Sequence, residues 1–272
     1  MIKSISYWSF PEGSAARDVL KQAKELGYEG VELTLEAKGD VTAAASDEEL
    51  AAIKAYADEL GMKVPTMATL LYWESPLIGP GGVQPEAAQE ITRQLLRCAN
   101  ALGAETILTV PCAVGPELHY DVAYESGVSL YKKMGPMAAE YGIKIGVENV
   151  WNKFLTSPLE FARFIDEIDH PSVGAYFDVG NVLLFGFPEQ WIRILGKRIV
   201  AVHIKDFRTA VGNLDGFVDL LEGDVAWDAV LAALKGIGYD GPVTAEMMPP
   251  YKHYQMRLLE STSNAMDSIL GR

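Results

Sequence analysis

Cysteine and basic residues are scarce in this 272-residue sequence, and each shortage excludes a class of protein. Two cysteines, Cys98 and Cys112, cannot build a disulfide framework, and their separation matches no CxxC metal or redox motif. The 23 Lys and Arg residues are outnumbered by 37 Asp and Glu residues, which gives a formal net charge of −14. Because proteins bind nucleic-acid phosphates through lysine and arginine, we expect no nucleic-acid partner.

The sequence also lacks long apolar runs. No stretch reaches the roughly 18 consecutive apolar residues that a membrane-spanning helix needs. The first residues, MIKSISYWSFPEGS, contain no apolar run long enough for a signal sequence. We therefore expect a soluble, cytoplasmic protein with no membrane partner. A composition of 49% hydrophobic and 22% charged residues is typical of a folded globular protein. The length fits two ordinary domains or one barrel of eight βα units, which takes about 250 residues.

One phrase recurs along the chain: a helical segment rich in Ala and Leu, a glycine, a short turn and an apolar run. Its glycines are Gly27, Gly61, Gly103, Gly142 and Gly238. Each glycine stands where a helix commonly ends in the left-handed conformation, and each apolar run is typical of a strand buried on both faces of a parallel sheet. Three serines, Ser14, Ser46 and Ser157, precede helical segments and are expected to cap them, with Pro158 in the first helical position.

Together these signals predict eight βα units. The strands are expected at residues 2–8, 30–35, 63–69, 106–111, 143–149, 173–179, 199–205 and 242–248, each followed by a helix. Because the unit count is eight and no G-x-G-x-x-G follows the first strand, the pattern favours a closed (β/α)₈ TIM barrel over an open doubly wound sheet. We expect one α/β domain over residues 1–272, with long βα loops at 72–86 and 206–224.

Four consecutive predicted strands end in groups that can bind a metal. Strand five ends in GVEN with Glu148, strand six in YFDVGN with Asp178, strand seven in AVHIKD with His203 and strand eight in TAEM with Glu246. A lone ionised carboxylate after an apolar run is costly unless it is paired or metal-bound, and a barrel brings its strand ends together. Three carboxylates and one imidazole suit one divalent ion, Mn²⁺ best, with Mg²⁺ or Co²⁺ as alternatives and Zn²⁺ a poorer fit.

The same residues indicate a reaction. An ion that chelates the adjacent oxygens of a hydroxy-ketone stabilises the cis-enediolate formed when the carbon between them loses its proton. Glu148 and Glu246, from strands five and eight, are placed to address opposite faces of this flat intermediate. If one removes the proton and the other returns it, a stereocentre is inverted. The predicted activity is therefore epimerisation or aldose–ketose isomerisation of a small sugar.

The motifs GVENVWN, FDVGN, AVHIKDF and LLEGDVAWDAVLAALKGIGYDGPVTAEM resemble those of the xylose isomerase-like sugar isomerases and epimerases. Within that family the chain looks most like the L-xylulose/L-ribulose 5-phosphate 3-epimerases, and next like the D-tagatose/D-psicose 3-epimerases. The resemblance implies acid/base catalysis by the two glutamates and a homodimer or homotetramer. It also implies one metal ion held by Glu148, Asp178, His203 and Glu246. The expected partner is a small sugar or sugar phosphate.

Two positions depart from the pattern of the free-ketose 3-epimerases. Asn181 stands three residues after Asp178, where those enzymes usually carry His. Phe154 stands six residues after Glu148, where they carry a Glu that helps to bind substrate hydroxyls. These differences disfavour a free ketohexose substrate. The forms D-x-G-N and H-x-K-D look more like the phosphate-using branch, and also like the inosose dehydratases, which are lyases.

Several alternatives stay open at this level. A metal-dependent lyase like the inosose dehydratases, or an aldose–ketose isomerase of the hydroxypyruvate isomerase type, would use the same ligands, so only the product distinguishes them from an epimerase. An endonuclease on abasic DNA, which belongs to the same superfamily by resemblance, would need a basic surface and more than the four histidines present. A sugar-binding barrel without activity is disfavoured because all four ligand positions are intact.

Substrate contacts are expected from the residues Trp8, Trp73, Trp151, Asn152, Asn181 and Lys205. The tryptophans fall near predicted strand ends or in a long loop, where aromatic rings can cover the apolar face of a sugar. The lysine lies two residues after the predicted histidine ligand, on the inward side of the strand, and is expected to meet an anionic group or the enediolate. The asparagines are expected to bind substrate hydroxyls, with hydrogen bonding to loop backbone as the alternative.

Overall fold

The apolar runs that follow the recurrent glycines are strands in the computed structural model, which describes residues 1–82, 86–247 and 251–272. In chain order the strands are β1 (Ile2–Ser6), β2 (Gly30–Thr34), β3 (Thr66–Ala68), β4 (Thr106–Thr109), β5 (Lys144–Glu148), β6 (Val173–Asp178), β7 (Ile199–Ile204), β8 (Asp206–Phe207), β9 (Phe217–Val218) and β10 (Pro242–Ala245). All except β8 and β9 pair in parallel, in the order β1-β10-β7-β6-β5-β4-β3-β2, which closes on itself. The predicted (β/α)₈ barrel is confirmed.

A helix follows each of the eight barrel strands, as predicted. The helices are α1 (Ala16–Glu25), α2 (Asp47–Leu60), α3 (Leu71–Glu74), α4 (Glu86–Leu102), α5 (Tyr120–Glu140), α6 (Pro158–Ile168), α7 (Pro188–Leu195), α8 (Trp227–Gly236) and α9 (Gln255–Leu270). In such a barrel the helices cover the outer face of the strands, so the strands are buried on both faces. Across the part of the chain that the structure describes, no helix is both long and apolar enough to cross a membrane.

Glycine ends the helical segments at the predicted positions. The φ angles of Gly27, Gly61, Gly103, Gly142 and Gly238 all lie between 64° and 83°. A Cβ disfavours this left-handed region, whereas glycine enters it freely and reverses the chain toward the next strand. The repeat seen in the sequence is therefore a repeat of helix ends.

The serine caps predicted for α2 and α6 have different outcomes. Ser46 caps α2 as predicted, because its Oγ accepts a hydrogen bond from the Glu49 N–H at 3.2 Å. The Glu49 carboxylate in turn accepts the Ser46 N–H at 2.8 Å, which completes a capping box. Pro158 occupies the first turn of α6 as predicted, but the Ser157 side chain makes no capping hydrogen bond within the described structure.

The prediction that Ser14 caps α1 is wrong. The Ser14 hydroxyl donates to the backbone oxygen of Pro11 at 2.6 Å, and Ala15 is the N-cap residue. The free N–H at the start of the helix finds another acceptor, because the Ala16 N–H donates to Asp40 Oδ2 at 2.8 Å. Asp40 lies in the loop after β2, so this cap depends on a tertiary contact that no local pattern signals.

The barrel strands are shorter than predicted. β1 stops at Ser6, whose Oγ accepts the N–H of Trp8 at 3.4 Å while residues 7–9 turn as a 3₁₀ helix. β10 ends at Ala245, and the last residue of the predicted strand, Met248, lies outside the described residues. Pairing between neighbouring strands therefore stops earlier than predicted at the ends of β1 and β10.

The two predicted long loops carry structure of their own. The segment 72–86 contains most of α3 and a 3₁₀ turn over Pro80–Gly82, while its residues 83–85 lie outside the described part of the chain. The segment 206–224 folds into the antiparallel pair of β8 and β9.

Buried Asp206 holds the second of these loops in shape. Its carboxylate accepts the backbone N–H groups of Leu221 at 3.0 Å and Val225 at 3.2 Å, and the indole N–H of Trp227 at 3.0 Å. One carboxylate thus ties both ends of the loop to α8.

We predict that Ser46→Ala lowers the free energy of unfolding by about 1 kcal/mol, because α2 loses the side-chain acceptor of its capping box. The matched control is Ser157→Ala at the start of α6, where no capping bond is lost, so its effect should stay within about 0.5 kcal/mol. Urea unfolding followed by circular dichroism measures both. Equal losses in the two variants would contradict the assigned caps.

Candidate metal centre

Four strand ends meet at one point inside the mouth of the barrel. Glu148 ends β5, Asp178 ends β6, His203 lies in β7, and Glu246 directly follows β10. One ligand atom from each of the four lies within 4.8 Å of all the others, and all four residues are buried. The register explains the convergence, because His203 pairs with Asp178 on one side and with Thr244 of β10 on the other.

The imidazole of His203 stands at the centre of the group. Its Nδ1 lies 3.5 Å from Glu148 Oε1, 3.5 Å from Glu246 Oε2 and 4.0 Å from Asp178 Oδ2. This nitrogen is buried and makes no hydrogen bond to any residue that the structure describes. Ligands held about 2.1 Å from a common ion lie roughly 3 to 3.5 Å apart. The spacing and the orphaned nitrogen therefore fit a site for one ion.

Lys205 shares this site, where its ammonium faces two of the carboxylates. Its Nζ lies 3.2 Å from Asp178 Oδ2 and forms an ion pair with Glu246 Oε2. Burial would lower the pKa of Lys205, but the two carboxylates outweigh that effect and raise its pKa. The lysine therefore stays charged and offsets part of the negative charge of the group.

The two glutamates differ in their affinity for a proton. Burial raises the pKa of Glu148 to about 7, and the charge of Glu246 adds to the effect. Burial acts in the same direction on Glu246, but the Lys205 ammonium outweighs it and holds the pKa of Glu246 well below its usual range. Two chemically identical side chains thus face one point from different electrostatic environments.

A carboxylate that the sequence analysis missed supports the histidine from behind. Glu32 of β2 is fully buried, and its Oε1 lies 2.9 Å from His203 Nε2. The ionised carboxylate can only accept here, so Nε2 carries a proton, and Nδ1 is the nitrogen left facing the other three carboxylates. Tyr176 at 2.6 Å and Thr66 at 2.9 Å donate to the other oxygen of Glu32. The only sequence signal was a charged residue inside the apolar run GVELT.

The small size of Gly146 makes room for this support. A Cβ at Gly146 would come within 2.8 Å of the Tyr176 Cβ on the neighbouring strand β6. Glycine on β5 therefore allows the tyrosine ring to lie across the barrel interior, where its hydroxyl reaches Glu32.

Asn149, also missed in the sequence analysis, locks β5 to β6 at the level of the ligands. Its Nδ2 donates to the Asp178 backbone oxygen at 2.8 Å, and its Oδ1 accepts the Asp178 N–H at 2.9 Å. The Asp178 Oδ1 accepts the N–H of Asn181 at 2.7 Å. This arrangement uses one oxygen of Asp178 and leaves Oδ2 facing the histidine.

A cavity of about 500 Å³ opens above the four residues. Five of the six predicted substrate contacts line it: Trp8, Trp73, Trp151, Asn181 and Lys205. The Trp151 ring is held by its N–H, which donates to the Asn181 backbone oxygen at 2.8 Å, and by edge-to-face contact with Phe207 at 5.4 Å between ring centroids. Apolar residues of the loop around β9, among them Phe217, also line the cavity and were not predicted.

Asn152 does not line this cavity. Its Nδ2 donates to the Cys112 backbone oxygen at 2.8 Å, and its Oδ1 accepts the N–H of Phe154 at 3.0 Å. The amide is buried and serves the loop after β5, which is the alternative that the sequence analysis kept open. We therefore do not propose Asn152 as a substrate contact.

Comparison with known proteins places this chain in a family. The family model described as a xylose isomerase-like TIM barrel matches residues 20–263. An uncharacterized protein of Methanocaldococcus jannaschii is 30% identical over 166 residues. The aligned residues cover 58% of this chain and 55% of that protein, so this chain spans about half of its length. The L-ribulose-5-phosphate 3-epimerase UlaE of Salmonella paratyphi C is 26% identical over 248 residues, covering 88% of this chain and 84% of UlaE.

Solved structures show the same fold. The IOLI protein with a bound zinc atom matches with a TM-score of 0.83 at 20% identity, over 100% of this chain and 98% of that one. A D-psicose 3-epimerase, solved in the presence of D-fructose, matches with a TM-score of 0.79 at 18% identity over 100% of both chains. At these identities the likeness concerns the barrel itself.

We predict that Glu32→Ala lowers the free energy of unfolding by about 3 to 5 kcal/mol, because it leaves the buried His203 and the Tyr176 hydroxyl without their acceptor. Glu32→Gln keeps an acceptor oxygen and should cost clearly less. The urea midpoints of the two variants and the unchanged protein measure the difference. A Glu32→Ala variant as stable as the unchanged protein would show that Glu32 does not support the histidine.

Proposed function

Because the chain belongs to the xylose isomerase-like TIM barrel family, we propose that it is a divalent-metal-dependent isomerase of a ketose or ketose phosphate, acting as a 3-epimerase. The observation that carries the proposal is the convergence of three buried carboxylates on the orphaned Nδ1 of His203 at the floor of a cavity. Support comes from UlaE, an L-ribulose-5-phosphate 3-epimerase that aligns over 88% of the chain.

The residues that would hold the ion are Glu148, Asp178, His203 and Glu246. When bound, the ion would polarise the adjacent oxygens of an α-hydroxy ketone and favour loss of the proton between them. A donor set of three carboxylate oxygens and one imidazole nitrogen makes Mn²⁺ the first ion to test, ahead of Mg²⁺ and Co²⁺. Zn²⁺ belongs in the same series because the IOLI structure contains it.

Glu148 and Glu246 are proposed to carry the proton. They come from β5 and from the end of β10, with β6 and β7 between them in the barrel, so their carboxylates approach the centre from different sides. One carboxylate takes the proton from carbon 3 and leaves a planar enediolate. The other delivers a proton to the opposite face, and the configuration at carbon 3 is inverted. After the reaction each glutamate has the protonation state that the other had before it. Proton exchange with solvent then restores the starting states.

Lys205 and the aromatic residues are proposed to position the substrate. The ammonium of Lys205 lies beside Glu246, where it can donate to a substrate oxygen that gains negative charge. Trp8 and Trp151 line the cavity next to the carboxylates and provide flat apolar surfaces for the carbon skeleton of a sugar.

We predict that the protein exchanges the carbon-3 hydrogen of a ketose with D₂O only when Mn²⁺ is present. NMR of chelated and Mn²⁺-restored protein with pentuloses, hexuloses, their phosphates and an inosose measures this. Glu246→Gln should show no exchange while its circular dichroism spectrum stays unchanged. Exchange at carbon 1 would instead show an aldose–ketose isomerase, and metal-dependent loss of water from the inosose would show a lyase. Normal exchange by Glu246→Gln would remove that residue from the mechanism.

We predict that His203→Ala weakens Mn²⁺ binding at least about 10- to 100-fold, since loss of a supporting residue alone commonly costs that much. Isothermal titration calorimetry on protein freed of metal with chelator measures the affinity. His119→Ala removes an exposed histidine before α5 and should bind Mn²⁺ like the unchanged protein. Unchanged affinity in His203→Ala would exclude the histidine as a ligand.

A further inference from the structure

The cavity above the four residues is polar on one side only. Its wall on the side of β1, β3 and β4 is formed by Trp8, Thr69, Leu70, Trp73, Leu108 and Val110. None of these side chains carries a charge. We call this group the apolar wall.

The one hydroxyl in the apolar wall is already used by the protein. Thr69 Oγ1 donates to the Leu35 backbone oxygen at 2.7 Å and accepts the N–H of Leu71 at 3.2 Å. The remaining polar groups of the wall side chains are the indole N–H groups of Trp8 and Trp73. Apart from these two N–H groups, the wall presents rings and aliphatic carbon to whatever enters the cavity.

Further apolar side chains line the cavity outside the apolar wall. Residues of the loop around β9 and the residue after Glu246 contribute the side chains Leu214, Phe217, Val218 and Met247. Among the described residues that line the cavity, Lys205 is the single cation. Its ammonium faces Asp178 and Glu246, at the carboxylate end rather than at the apolar wall.

A phosphate ester would be poorly accommodated by such a cavity. Moving a doubly charged group away from water requires ionic or hydrogen-bonding partners, and arginine or lysine normally supplies them. Here the lysine is engaged by two carboxylates, and no arginine lines the described cavity. Apolar carbon, in contrast, gains roughly 25 cal/mol for each Å² removed from water.

Building on the proposed function, we propose that the substrate is a non-phosphorylated α-hydroxy ketone whose end remote from the carboxylates is apolar, as in a deoxy sugar. The hydroxy-ketone end lies at Glu148 and Glu246, and the carbon end lies against the apolar wall. The cavity volume of about 500 Å³ leaves room for a substituent larger than a methyl group. The apolar wall thus selects the substrate in two ways, because it excludes charged groups and it packs against carbon.

Three probes that differ only at carbon 5 test this inference: L-ribulose, 5-deoxy-L-ribulose and L-ribulose 5-phosphate. We predict that kcat/KM for carbon-3 exchange with the Mn²⁺-loaded protein is highest for the deoxy sugar. The phosphate ester should be at least tenfold poorer than the deoxy sugar. A phosphate ester that equals or exceeds the deoxy sugar would overturn the inference.

Equilibrium binding separates failure of this inference from failure of the proposed function. Calorimetric titration of the three probes into the Mn²⁺-loaded protein should give the same order of affinity, whether or not exchange occurs. Deoxy preference in binding without exchange of any probe would support the apolar subsite and count against epimerisation. Tighter binding of the phosphate ester would overturn the inference even if all three probes exchange.

A pair of charge-adding variants tests whether the apolar wall contacts the substrate. Leu70 lines the cavity and is 46% exposed, so Leu70→Arg adds a cation with little disturbance of the core. We expect it to raise the ratio of phosphate ester to deoxy sugar, in kcat/KM or in affinity, at least tenfold. Leu159→Arg adds the same charge on α6, outside the cavity, where Leu159 is 70% exposed, and should leave the ratio unchanged. An unchanged ratio in Leu70→Arg would show that the wall does not contact the substrate.

Discussion

The burial of three carboxylates around one imidazole is the constraint on which this mouth of the barrel depends. Charges of one sign that are removed from water and held a few ångströms apart repel each other strongly, and the surrounding protein has to offset that repulsion. Lys205 does so from the cavity side, and Glu32 sets the proton of His203 from the barrel interior. His203 Nδ1, which makes no hydrogen bond to any described residue, faces the carboxylate oxygens. One divalent cation could be held by this arrangement of donors.

The parallel barrel makes this arrangement possible because all its strands end at the same rim. Side chains at alternate positions point inward, so Tyr176 and Asp178 occupy successive inward levels of β6. The lower level holds the network of Glu32, Thr66 and Tyr176, and the upper level holds the ligand group. Rigidity of the lower level therefore fixes the geometry of the upper one, as outer-shell partners do in metal sites.

The division of the mouth into a polar and an apolar half follows the strand order. The strands β5, β6, β7 and β10 bring the charged groups, while the ends of β1, β3 and β4 bring Trp8, Leu70 and Val110. In the proposed reaction, the polar half acts on the α-hydroxy ketone group that all candidate substrates share, and the apolar half distinguishes one ketone from another. The proposal thus separates reaction and substrate choice in space, with residues of the loop around β9 also lining the cavity.

The sequence alone determined the barrel, because both of its signals are local. Glycine at a helix end needs only its own freedom at positive φ, and an apolar run needs only burial, so five helix ends and eight strands could be located. The carboxylates and the histidine were also visible, since polar groups that end apolar runs stand out in any parallel sheet.

Contacts between distant segments were decided only by the tertiary structure. Glu32 meets His203 across 171 positions of the chain, and Ser14 loses its predicted capping role to Asp40 from another loop. Asn152 looked like a substrate ligand until the fold brought the Cys112 carbonyl to its amide. The apolar wall likewise exists only where three separate strand ends meet, because the sequence specifies each side chain and closure of the barrel specifies its neighbours.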